Sequence, residues 1–214
     1  MIPVRIYHET HEADARLVAF GVTRPELIEV VKGVVGARAD AVENDPVTAE
    51  GQFAYIFGTR FVRALFRTKG WNLHRKDNIE AVCHPERELR VIYQSVDLAA
   101  SKHHRPQAVS GKGSAADRQI SAAQGDLFAK MEAEAPHAVR TVKFDTGIWY
   151  FCVSVDGDNV RAELSLPTGV EGGNFQGFIE RIFIVKDDEW PGIAGKRDDD
   201  ELPPAEFEPE VSRK

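Results

Sequence analysis

Cysteine is nearly absent from the chain: Cys83 and Cys152 are the two among 214 residues, and they lack CxxC spacing. That excludes a disulfide scaffold and a thiolate zinc site, leaving two semi-buried thiols as the expectation. Glycine (17) and proline (11) are too scarce for a collagen-like or low-complexity chain, and 43% hydrophobic residues exclude a disordered one. No apolar run approaches the roughly 18 residues that a membrane span needs. The opening MIPVRIYHETHE carries charge where a secretory leader would be apolar. The expectation is a globular, cytoplasmic protein with no membrane partner. At roughly 100–200 residues per domain, this length accommodates one domain or two small ones.

Chemical signatures are missing too. There is no GxSxG elbow for a nucleophilic serine and no GxGxxG for a dinucleotide. His8-Glu9-Thr10-His11-Glu12 departs from the HExxH zinc pattern because Glu12 stands where the second histidine belongs. No cofactor and no metal are therefore expected, although His8, His11 and Glu12 are a loose donor set.

Charge is present in quantity and unevenly placed. Residues 1–143 hold 20 Lys and Arg against 18 Asp and Glu, whereas residues 144–214 hold 7 against 16. Between residues 58 and 118 stand 12 basic and 6 acidic side chains, joined by His74, His84, His103 and His104. Screening at physiological salt limits the reach of remote charge to about 8 Å, so a basic region can attract phosphate on an acidic protein. From Asp187 onward the chain is acidic and broken by Pro191, Pro203, Pro204 and Pro209, which reads as a flexible tail over 187–214. Such a tail suits a polyanion mimic that folds back on the basic region, or a dock for a protein partner through Trp190 or Phe207.

Periodicity predicts an α+β fold: N-terminal helices, a β-hairpin, a further helix and a largely antiparallel C-terminal sheet. Residues 3–7 read as a short edge strand and a helix follows from Thr10 to Gly21. Thr23-Arg24-Pro25-Glu26 is a capping box, with Leu27, Val30, Val31, Val34 and Val35 at helical spacing behind it, ending near Asp40. The next helix, from Asp45-Pro46 to Thr68, is expected to bury Phe53, Ile56, Phe57, Phe61, Ala64 and Leu65 on one side and carries Arg60, Arg63 and Arg67 as a separate stripe. A hairpin of residues 79–83 and 89–96 precedes a polar stretch, after which Ser114 caps a helix closed by Pro136. Residues 139–144, 147–155, 160–166 and 178–185 read as strands, with a glycine-rich loop before the last. Alternation of Ala162, Leu164 and Leu166 with Arg161, Glu163 and Ser165 predicts one solvated sheet face. Residues 1–186 read as a single α+β domain, or as a helical 1–70 unit docked on a 79–186 sheet unit.

Three features converge on anion binding. The first is the arginine stripe Arg60, Arg63, Arg67, extended by Lys69, since guanidinium forks suit phosphate. The second is Ser110-Gly111-Lys112-Gly113-Ser114, where glycine amides, a helix N-terminus and Lys112 form a cradle with Arg118 one turn on. It is not a P-loop, because Gly113 follows Lys112 where Ser or Thr is required. The third is His103 and His104 just upstream. Trp149, Tyr150, Phe151, Phe175 and Phe178 are candidate stacking platforms for bases. The expected function is binding of DNA, RNA or another phosphate-rich ligand through this basic segment. One alternative is a phosphoryl-handling or nuclease-like enzyme holding Mg²⁺ on Asp97 or Glu80; another is an accessory factor that docks a partner. No sequence feature sets an oligomeric state.

Overall fold

A computed structural model describes residues 4–76, 79–109, 147–171 and 173–191. Its elements are β1 (Arg5–Tyr7), α1 (Thr10–Leu17), a 3-10 turn (Val18–Phe20), α2 (Arg24–Ala39), α3 (Ala49–Thr68), β2 (Asn72–Lys76), β3 (Ile79–Cys83), β4 (Leu89–Ser95), β5 (Gly147–Asp156), β6 (Asn159–Glu171) and β7 (Asn174–Val185). The fold is α+β. The expected helix 114–136 and strand 139–144 lie outside the described residues, as does the chain beyond Pro191.

The seven described strands form one sheet in the order β1-β7-β6-β5-β4-β3-β2. It is mixed, not largely antiparallel, because β1 runs parallel to β7 and β4 runs parallel to β5. Parallel neighbours need a long crossover, and residues 96–146 supply it between β4 and β5. Strand β2, absent from the sequence reading, is the polar edge strand NLHRK. The expected glycine-rich loop before the last strand is instead a tight connection, since β6 runs to Glu171 and β7 starts at Asn174. These pairings fix direction: β2, β4, β5 and β7 all end at the same rim of the sheet, whereas β3 and β6 begin there.

Helices cover one face. Leu17, Leu27, Val31 and Phe66 pack with Val91, Trp149, Phe151, Leu164 and Ile182 into one apolar core. The helix after Thr10 stops at Gly21 as expected, tightening into a 3-10 turn from Val18, and the Gly21 φ of 69° is open to glycine at little cost. The capping box opens α2, with Glu26 N–H donating to Thr23 Oγ1 and Thr23 N–H donating to the Glu26 carboxylate. α3 crosses β4 at Gly58, where a Cβ would stand 2.5 Å from the Tyr93 ring.

The opposite face is also buried, against expectation. Ile148, Tyr150 and Cys152 pack there with Val96, Ala99, Phe175 and Phe178. Glu163 and Ser165, expected in solvent, are 0% exposed. Polarity alternates along β6 as predicted, but the charge is paired rather than hydrated. Arg181 grips Glu163 with Nε on Oε1 at 2.8 Å and Nη2 on Oε2 at 2.5 Å. Its Nη1 donates to the carbonyls of Ser101 and His104, at 2.9 and 3.0 Å. The Ala100 N–H completes the carboxylate at 2.6 Å, from a residue whose φ is 47°. One buried ion pair thus fastens the segment after β4 across the sheet.

Candidate functional site

Cationic side chains gather where α3 leaves for β2. Residues three and four apart share a helix side, so Arg60, Arg63 and Arg67 project from successive turns of α3, and Arg63 reaches the β2–β3 edge. Arg63 turns inward: its Nη2 donates to the Glu80 carboxylate of β3 and, at 3.3 Å, to the His74 carbonyl of β2. Arg75 brings its Nε to 3.8 Å from the same carboxylate. Arg60 and Arg67 are exposed, and Arg60 lies over the Phe57 ring at 4.4 Å, a cation–π contact that holds the guanidinium extended. Lys76 is exposed at the rim end of β2. Among the described residues, Arg63 and Arg75 reach the Glu80 carboxylate, whereas Lys76, paired with Ile79, belongs to the other face of the sheet.

An aromatic surface adjoins them. Tyr55, one helical turn before Thr59, is 48% exposed. Burial of part of its ring raises the phenol above its ordinary value, the Glu80 carboxylate adds to this, and Arg63 opposes it. The corner can therefore offer guanidinium forks and an aromatic face to one extended ligand.

The remaining expected site residues are placed elsewhere. Lys69 donates to Glu26 at 2.6 Å, so it ties the end of α3 to the start of α2. That bond, with the Thr23 amide and hydroxyl, holds the Glu26 carboxyl below its ordinary value. His103 and His104 sit on the segment fastened to Glu163 and Arg181, on the sheet face away from α3. His104 Nε2 lies 2.9 Å from Asp97 Oδ2, while Asp97 Oδ1 accepts the Leu98 and Gln107 amides. Gly111, Lys112, Gly113, Ser114 and Arg118 lie outside the described residues. The structure therefore brings Arg60, Arg63 and Arg67 together and separates them from Lys69 and from the histidines.

Two other expectations are corrected. Trp149, Tyr150, Phe151, Phe175 and Phe178 are buried in the two cores, so none presents a ring for stacking. Asp97 and Glu80 do not converge: Glu80 joins α3 on one face, and Asp97 organises the segment on the other. Among the described residues no three His, Cys, Asp or Glu side chains are grouped to hold a metal ion. Nor is any described helix long and apolar enough to cross a membrane.

Sequence reading overlooked Arg75, Lys76 and Tyr55. The run His74-Arg75-Lys76 was the available signal, but without a strand assignment it had no surface to belong to. At the sheet's rim, Asp158, Asn159, Val160, Asp187, Asp188, Trp190 and Pro191 line a cavity of about 290 Å³. Asp187 there accepts from Arg161 Nη2 at 2.5 Å. No protein-family model, no curated protein and no solved structure matches the chain.

Proposed function

We propose that this protein binds a phosphate-rich polymer, DNA or RNA, along the corner of α3 and β2. The observation that carries this reading is that Arg60 and Arg67 are exposed on one side of α3, and Arg75 and Lys76 are exposed on the neighbouring edge strand, Arg75 beside the carboxylate that Arg63 engages. Arg60, Arg67 and Arg75 present planar donors suited to phosphate oxygens. Phe57 beneath Arg60 and the half-open Tyr55 add ring faces on which unstacked bases can lie, which favours single strands over duplex. Four phosphate contacts on a single strand correspond to a salt slope of about −3 in log affinity against log salt.

Fluorescence anisotropy with labelled 20-nucleotide oligothymidylate and a duplex of equal length, titrated across a salt series, tests this. Expected are binding at low salt, the stated slope, and a slope reduced by about one for each of Arg60→Ala, Arg67→Ala and Arg75→Ala. Absence of binding at low salt, or a flat salt dependence, rejects it.

A further inference from the structure

We propose that α3 pairs antiparallel with α3 of a second copy of the chain, through the side it turns away from the sheet. Among the described elements α3 packs chiefly on α2, β3 and β4. At about 100° per residue, the buried Ala54, Gly58, Val62 and Phe66 face the sheet, and Phe53, Ile56, Phe57, Arg60, Ala64 and Arg67 fall on the opposite side. Ile56 is 47% exposed, Arg60, Ala64 and Arg67 are exposed, and Phe53 and Phe57 are half-buried. Glu50, in the first turn, adds an exposed acid at the start of this side.

The order of residues along that side makes it its own complement when reversed. It runs from an acid through apolar side chains to two arginines. A two-fold axis level with the Gly58–Thr59 bond sets Glu50 against Arg67, Phe53 against Ala64 and Phe57 against Arg60, because the members of each pair are equidistant from that point. The Glu50–Arg67 pair then forms twice, about 26 Å apart at the helical rise. Parallel packing would instead set Glu50 on Glu50 and Arg67 on Arg67, so charge selects the reversed register.

Each contact has an opening for it. Arg38 donates to one oxygen of Glu50 at 2.7 Å yet leaves that side chain 60% exposed, so it can accept from a second cation. The small, exposed Ala64 leaves room for the Phe53 ring of the second copy. Arg60, which lies over Phe57 of its own helix at 4.4 Å, meets a second Phe57 ring across the axis. A single helix pair buries less than a standard interface of about 1,600 Å², so the association is weak, with a dissociation constant of about 10–100 μM. The pairing goes beyond the reading of Arg60 and Arg67 as phosphate ligands, and a second copy competes with a single strand for them.

Sedimentation velocity of the full chain with charge reversal tests the pairing. The unsubstituted protein should be mostly monomer at about 1 μM and mostly dimer at about 200 μM. Glu50→Arg sets arginine against Arg67, and Arg67→Glu sets glutamate against Glu50, so each variant alone should stay monomeric at the higher concentration. Their equimolar mixture should recover the dimer, because both crossed pairs are then opposite in sign. Ile56→Asp should also stay monomeric. All three positions are exposed, and circular dichroism should show each variant folded like the unsubstituted chain. A monomer at the higher concentration, a dimer that survives the single changes, or a mixture no more associated than its components overturns the pairing. Excess 20-nucleotide oligothymidylate should drive the dimer apart. A dimer that persists beside bound oligothymidylate leaves the pairing standing and moves the polymer off α3. Recovery of the dimer in the mixture, with no oligonucleotide binding by any chain, supports the pairing and rejects the polymer reading.

Discussion

Arg181 and Glu163 meet side by side between β7 and β6, 2% and 0% exposed, with both prongs of the guanidinium on both oxygens of the carboxylate. Removing one partner strands the other charge in a medium that cannot hydrate it, a loss of about 3–5 kcal/mol. Glu163→Gln is therefore expected to lower stability by about that amount and to speed amide exchange at Ala99 and Ala100. Urea unfolding and hydrogen exchange read the two effects. Adding Arg181→Met to Glu163→Gln should cost at least about 1 kcal/mol less than the sum of the single changes, because the pair shares one network.

Gly58 and Gly33 look alike in sequence and should respond differently to alanine. A Cβ on Gly58 would lie 2.5 Å from the ring of Tyr93, which is 2% exposed and has no room to yield. A Cβ on Gly33 would lie 2.6 Å from the Phe61 ring, which is only half-buried and can swing outward. Overpacking costs about 1–3 kcal/mol, and alanine returns about 1 kcal/mol of helix propensity. Gly58→Ala should thus destabilise the fold by about 1–2 kcal/mol, and Gly33→Ala should come closer to neutral. The midpoint of urea unfolding measures both.

Tyr93 predicts how the fold meets alkali. Burial pushes its phenol up to about 12, only partly offset by the hydrogen bond shared with Ser95. The unfolded chain releases this proton near pH 10, so folded molecules hold more protons between the two values and stability falls as pH rises through that window. The loss approaches roughly 3 kcal/mol by pH 12, and below pH 10 this group contributes no pH dependence. Tyr93→Phe should flatten that limb in unfolding curves collected from pH 9 to 12.

Arg63 and Arg67 occupy one stripe but should fail different assays. Arg63 is engaged with Glu80 and the His74 carbonyl, so Arg63→Ala is expected to cost about 1–2 kcal/mol of stability. Arg67 is exposed, so Arg67→Ala should leave stability within about 0.5 kcal/mol and weaken oligothymidylate binding instead. Thermal unfolding beside anisotropy separates the two roles.

What could be read before folding was what depends on near neighbours. Thr23 and Glu26 stand three apart, and their reciprocal bonds followed from that spacing. The turn around Gly157 is equally local. The side of α3 that is buried, however, is Ala54, Gly58, Val62 and Phe66, not the expected Phe53, Ile56, Phe57, Phe61, Ala64 and Leu65, because the sheet takes the small residues against it. β2 escaped because NLHRK has one apolar residue and an edge position that demands no alternation. β1 escaped detection as a partner of β7 because Arg5 pairs with Glu180, far along the chain. Glu163 misled because alternation reports polarity, and only Arg181, eighteen residues later, turns that polarity inward. For the cationic corner, the stripe was legible, but which members were already neutralised was not: Glu80 and Glu26 belong to other elements.

β4 and β5 lie side by side in register, Leu89 against Gly147 through Ser95 against Val153, yet the chain makes a journey of 51 residues between them. Closure entropy grows only with the logarithm of such a journey, about 0.6 kcal/mol for each doubling. Chain length alone therefore sets little of the cost of bringing β4 and β5 together. It acts instead on time: of the strand pairings in this sheet, the β4–β5 register bridges one of the longest intervals and is expected to be among the slowest for a refolding chain to find.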